Sequence, residues 1–193
     1  MKKVKVALIG TGSWSLQHCR VLTQHTQVEF CGILGRDKQR TKKRADLFKV
    51  PYYVDLKELI KYQQPDLINI SLPNEHHYEM TMKVINSNCH LFVEKPLVFK
   101  INQAENLIKE AKKRKLFFGI NFNWRYSTPV KKAVEAIKKN KVGDINFISW
   151  RFGGVGGGGD PHGNLIETQC HGFDMLEYLN GPIKSVHSFM TNK

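Results

Sequence analysis

The stretch Ile9-Gly10-Thr11-Gly12-Ser13-Trp14-Ser15 places a G-x-G-x-x-S pattern between an apolar run and a helical one. Such a turn can hold an anion. The first glycine permits the tight bend, the second lets backbone approach a pyrophosphate, and the following helix N-terminus presents free N–H groups and positive dipole. Gly10, Gly12, Ser13 and Trp14 are therefore candidate cofactor-binding residues, with small Ser15 standing where a third glycine is usual. A second stretch, Phe92-Val93-Glu94-Lys95-Pro96-Leu97, ends an apolar run in two opposite charges and a proline. Pro96 keeps Lys95 out of helical geometry and removes the next backbone donor, leaving the side chain at the mouth of whatever crevice the strand faces. An ammonium held beside a positively charged nicotinamide and partly stripped of water is fitted to pass a proton at neutral pH.

A third stretch supplies partners for that lysine. Over 166–179, Ile166, Cys170, Phe173, Leu176 and Leu179 form an apolar helical stripe, and Glu167, His171, Asp174 and Tyr178 a polar one beside it. Between Arg151 and Lys184 this lysine-rich chain has neither lysine nor arginine. A wet helix in this protein would resemble the basic segment 131–139, so the polar stripe is expected to face a cavity, with Glu167 and His171 sharing one wall.

The elements that must position these residues follow from hydrophobic periodicity. Strands are expected at Val4–Ile9, Val28–Leu34, Pro51–Val54, Leu67–Ser71, His90–Glu94 and Phe117–Asn121, alternating with helices at 15–23, 38–48, 56–62, 76–86 and 103–113. That alternation implies an α/β doubly wound parallel sheet of Rossmann type over residues 1–122. Glu94 and Lys95 then lie at the carboxyl edge of the sheet, where ligands bind. From about residue 123 the pattern changes: a basic amphipathic helix (129–139), a strand (145–152), a glycine-rich loop (153–159), the helix 166–179 and a strand (183–190). Residues 123–193 are too few for an independent core and read as an incomplete α+β second domain.

The end of the second strand bears on the cofactor. It reads Ile33-Leu34-Gly35-Arg36-Asp37, with no acid where a carboxylate would meet the ribose hydroxyls of NAD. Arg36 suits a 2′-phosphate, which favours NADP; a shift of one residue would put Asp37 on the ribose and favour NAD.

Bulk properties narrow the classes. No apolar run approaches the roughly 18–20 residues that span a bilayer, and Lys5 interrupts the first apolar run too early for a secretory signal. Cys19, Cys31, Cys89 and Cys170 show no paired spacing, so neither a metal site nor a disulfide framework is expected and a reducing cytoplasm is the expected compartment. The net charge of +13 raises nucleic-acid binding, but the basic clusters sit in solvated helical faces without a recognition motif.

The motifs ALIGTGSWSLQH, ISLPNEHHYEM, FVEKPL, NFNWRYSTPV and ETQCHGFDMLEYLNGP, in that order, resemble those of the Gfo/Idh/MocA oxidoreductases. The resemblance implies that Lys95 is the catalytic lysine beside the nicotinamide and that His171 exchanges a proton with a sugar- or cyclitol-like secondary alcohol or ketone. It implies an acid–base role for Glu167, which stands where many members carry aspartate. Leu72, Pro73, Asn74 and His77 match the loop beneath the cofactor and Arg125 the arginine of the family's N-x-R segment, so the resemblance implies that these residues, with Glu94 and Lys95, contact the cofactor. It also implies a much longer second domain built on an open sheet, so the expected macromolecular partner is a second copy of the chain covering that face.

Overall fold

In a computed structural model describing residues 2–152 and 163–189, the expected alternation builds a six-stranded, all-parallel sheet. Its strands are β1 (Val4–Ile9), β2 (Val28–Leu34), β3 (Tyr52–Tyr53), β4 (Leu67–Ile70), β5 (His90–Val93) and β6 (Phe118–Ile120), in the spatial order β3-β2-β1-β4-β5-β6. Helices α1 (Ser13–Gln24), α2 (Lys38–Phe48), α3 (Leu56–Gln63), α4 (His77–Asn86) and α5 (Ile101–Lys113) make the crossovers. This is the Rossmann order, and its topological switch falls between β1 and β4.

Strands covered on both faces read as unbroken apolar runs, because alternate side chains enter two different cores. Leu8 and Ile33 pack with Cys19 and Ala45 on one side. Ala7, Ile9, Ile68, Ile70, Leu91 and Val93 pack with Leu59, Val84, Ile85 and Leu107 on the other. Cys19 and Cys31 belong to this packing, and burial pushes both thiols up to about 11. Helix starts follow local chemistry: Asp37 accepts from the Arg40 N–H at 2.8 Å and Asp55 from the Glu58 N–H at 3.0 Å, satisfying donors the helices cannot.

The register carries the fold's main functional consequence. Leu34, Ile9, Ile70, Val93 and Ile120 stand in one row across five strands. The next residues, Gly35, Gly10, Ser71, Glu94 and Asn121, therefore leave the sheet together as a rim. Backbone bonds from Gly10 N–H to Leu34, Ser71 N–H to Ile9, Glu94 N–H to Ile70 and Asn121 N–H to Val93, at 2.8–2.9 Å, extend the ladder to this rank.

The chain divides into two compact units, Met1–Asn121 and Phe122–Lys193. The second holds a 3₁₀ turn (Asn123–Tyr126), α6 (Thr128–Lys138), α7 (Gly163–Glu167) and α8 (Cys170–Asn180). Three expectations change here. The apolar stretch 145–152 forms no strand, and neither does 183–189; β-propensity produces a ladder only where another backbone offers partners. Trp150 instead packs against Gly172, where an added Cβ would meet the indole at 2.6 Å. The single helix expected over 166–179 is two helices, interrupted at Thr168 and Gln169. The expected glycine-rich loop, 153–159, lies outside the described residues.

Candidate functional site

The first unit contains a cavity of about 600 Å³ at the carboxyl ends of β1, β2 and β4, a volume typical of small-ligand sites. Gly10, Thr11, Gly12, Ser13 and Trp14 line it, as do Leu34, Gly35, Arg36, Asp37, Ser71, Leu72 and Pro73. Gly10 sits at φ +129°, a conformation side chains rarely adopt, and a Cβ there would collide with the Ser71 carbonyl. Gly12 is the N-cap of α1 and provides no side-chain cap bond, so the first-turn N–H groups remain available to an anion. A Cβ on Gly12 would meet nothing within 4 Å, which leaves room for a ligand against the turn. These features fit the pyrophosphate of a dinucleotide.

The wall beyond β2 is cationic. Arg36 and Arg40 line the cavity, and Arg40 Nε donates to Thr11 Oγ1 at 3.1 Å. Arg44 donates to the Gly12 carbonyl and to Ser15 Oγ, both at 3.2 Å, bracing the turn from below. Arg36 is expected from the sequence, whereas Arg40 and Arg44 belong to a basic cluster that reads there as a solvated helical face; on α2 the two stand one turn apart, which was the available signal that they share a side. Gly35 explains the missing acid, since a Cβ there would strike Thr41 Oγ1 and the Thr11 methyl. Asp37 has its own role, capping α2.

Leu72 and Pro73 lie on the cavity wall, while Asn74 begins a short 3₁₀ turn whose last residue, His76, also lines it. His77 is buried beneath. Its ring nitrogens lie 2.8 Å from the Pro96 carbonyl and 2.9 Å from the Leu72 carbonyl, tying the cavity loop to the residue that follows Lys95. Lys95 itself is half-buried at the end of β5.

Glu94 is buried and meets three donors on Oε1: Trp14 Nε1 at 2.8 Å, His18 Nε2 at 2.7 Å and Asn121 Nδ2. Burial alone would raise its pKa, but the bonds from His18, Asn121 and Trp14 outweigh that and hold the carboxyl below its ordinary value of 4.5. A folded-state value below the unfolded one means that the unfolded chain binds the extra proton first on acidification. Glu94 therefore stabilises the fold above about 4.5, and that contribution disappears as pH falls through the lower folded value. Urea unfolding across the acid range checks this: Glu94→Gln is expected to flatten the acid limb, and a limb identical to wild type would refute the assignment.

In the second unit α8 buries His171, Gly172, Asp174 and Met175, while Phe173 of the expected apolar stripe is exposed. Packing explains the reversal. Trp124 stacks on the His171 ring at 4.7 Å and 4°, and Phe122 meets it edge-on at 5.9 Å. The Arg125 guanidinium donates to both carboxylate oxygens of Asp174, with Nε at 2.9 and 3.0 Å, and lies over the Tyr178 ring at 4.6 Å. Arg125 is thus engaged with a buried acid of its own unit. Glu167 closes α7 and is exposed; the break after it removes the continuous helical wall expected for Glu167 and His171. His18, Asn121 and Trp124 fall inside the quoted motifs, but nothing in those patterns gives them the contacts they make here.

The model of the oxidoreductase family with an NAD-binding Rossmann fold matches residues 4–122. The chain belongs to the Gfo/Idh/MocA oxidoreductase family. An uncharacterized oxidoreductase of Synechocystis sp. is 26% identical over 197 residues, covering 94% of this chain and 52% of that protein. The D-glucoside 3-dehydrogenase of Escherichia coli is 24% identical over 202 residues, covering 96% and 58%. The crystal structure of myo-inositol 2-dehydrogenase from Lactobacillus plantarum superposes with a TM-score of 0.79 at 21% identity, covering 93% and 57%. This Gfo/Idh/MocA chain thus spans somewhat over half the length of these relatives. Among its described residues no helix is long and apolar enough to cross a membrane.

Proposed function

We propose that the chain carries the cofactor-binding and catalytic residues of an NADP-dependent dehydrogenase acting on a sugar- or cyclitol-like secondary alcohol or ketone. The observation that carries this reading is the cavity, in which an uncapped helix N-terminus and a glycine turn face Arg36 and Arg40. Gly10, Gly12, Ser13 and the α1 N-terminus would hold the pyrophosphate, Leu72 and Pro73 the underside of the cofactor. Arg36, backed by Arg40, would meet the 2′-phosphate through charge-assisted hydrogen bonds. When bound, the dinucleotide supplies a two-electron hydride donor or acceptor at its nicotinamide ring. Lys95 and His171 are assigned to move the substrate's hydroxyl proton, Lys95 from the rim of the first unit and His171 from α8. Names among the relatives, D-glucoside and myo-inositol dehydrogenases, support a polyol substrate class.

Titration with NADP(H) and NAD(H), followed by a redox assay over a panel of sugars and cyclitols, tests the reading. Submicromolar-to-micromolar NADP(H) binding with turnover of at least one polyol is expected, and no binding of either dinucleotide would overturn it. Arg36→Ala is expected to weaken NADP by about tenfold or more, the worth of one charged hydrogen bond, and NAD by less than about twofold. Equal losses for both would reverse the cofactor preference. A second reading, dinucleotide binding without turnover, is favoured by the absence of strands in 145–152 and 183–189; tight binding with no activity on any polyol would select it.

A further inference from the structure

Glu94 makes four hydrogen bonds, three of them to two distant segments and one to its neighbour Lys95. Its Oε1 takes donors from Trp14 and His18 of α1 and from Asn121 after β6, and its Oε2 accepts from the Lys95 N–H at 3.2 Å. Behind it, Asn69 of β4 lies 2.9 Å from His18 Nδ1, so the chain of contacts runs on into the sheet. Three donors on one oxygen require a full negative charge, because a neutral amide oxygen there would present less charge, and its NH₂ would replace an acceptor with a donor facing the Lys95 N–H. The carboxylate is 5% exposed.

A purely structural tie would hold buried groups to buried groups. Trp14 is different: it is 52% exposed, lies in the first turn of α1 and lines the cavity, and this buried carboxylate grips its indole N–H. A flat aromatic surface in a ligand cavity, fixed at its one polar atom, is a prepared wall for stacking or apolar contact. The same carboxylate fixes the backbone N–H of the lysine assigned to proton transfer.

We propose that Glu94 is a positioning residue that holds Trp14 as a wall of the cofactor cavity and Lys95 at the rim, so that cofactor affinity and turnover depend on one buried carboxylate. This rests on the reading of the cavity as a dinucleotide site. It gives Glu94 no contact with the cofactor. The consequence is a distinctive split: Trp14→Phe lowers affinity, substitution of Lys95 lowers turnover, and Glu94→Gln lowers both.

The test is a double-mutant cycle in the full chain, with NADPH and NADH dissociation constants read from cofactor fluorescence, kcat on any active polyol, and thermal melts by circular dichroism. Glu94→Gln is expected to weaken both dinucleotides alike by about tenfold, the loss of one hydrogen bond to a charged group. Because the two residues act through one contact, the Trp14→Phe/Glu94→Gln double variant is expected to bind no worse than Glu94→Gln alone. Strictly additive losses, or wild-type affinity in Glu94→Gln, would overturn the coupling while leaving the dinucleotide reading intact. Failure of the wild-type chain to bind either dinucleotide would overturn both. If Glu94→Gln does not fold, Trp14→Phe decides alone: an aromatic face remains, but the indole N–H that Glu94 holds is lost together with the five-membered ring that carries it, so unchanged affinity overturns the proposal.

Discussion

Replacing Lys95 with alanine is expected to reduce turnover by about a thousandfold while changing the dissociation constant of NADPH by less than about threefold, the signature of a lost proton-transfer group. The asymmetry follows from placement. Lys95 stands at the carboxyl end of β5, and the cavity lies around the ends of β1, β2 and β4. Its side chain is half-buried, whereas the groups that shape the anion site are the glycine turn and the α1 N-terminus. Steady-state kinetics paired with NADPH titration checks the prediction. Activity within tenfold of wild type would remove the lysine from the chemistry, and a parallel collapse of affinity would make it a binding residue.

The largest expected effect on stability is at Gly10. Substitution by alanine forces a side chain onto φ +129° and drives its Cβ into the Ser71 carbonyl. Backbone strain of about 1–3 kcal/mol and overpacking of a similar size together give a loss of about 4 kcal/mol. Marginal stabilities of about 5–15 kcal/mol leave little after such a change. Ser71 cannot retreat, because its N–H is bonded to Ile9 and the strand beneath it is core. Urea unfolding is the measurement, and a loss below about 1 kcal/mol would show that the turn can open without cost. Gly12→Ala is the internal control: with nothing within 4 Å of its Cβ, it should fold normally.

How far these features could be read from the sequence depended on whether neighbours along the chain or distant segments decided them. The first six strands were legible because each is an apolar run bounded by turn residues, and β1, β2 and α2 have the bounds the pattern implies. Gly10 and Gly12 were legible because a glycine turn between strand and helix is a local motif. The contacts of Glu94 were not, since they join residues 76–80 and 27 positions apart in sequence. The strands expected at 145–152 and 183–189 failed for the complementary reason: their composition favours extended backbone, yet a ladder is a property of two segments. On α8 the hydrophobic stripe pointed to Phe173, but Arg125 neutralises Asp174 and aromatic rings enclose His171, so the helix buries its polar residues instead.

The shared rank on which β2, β1, β4, β5 and β6 end limits how such a protein can change. Side chains alternate along a strand, so unless a bulge absorbs the change, as the register shift of β2 opposite Val6 and Ala7 does, deleting one residue would draw a glycine, serine, glutamate or asparagine from the edge into the interior and adding one would push an aliphatic group out to the edge. Substitution and loop growth beyond that rank disturb neither arrangement, which makes those segments the place where specificity can change at least cost.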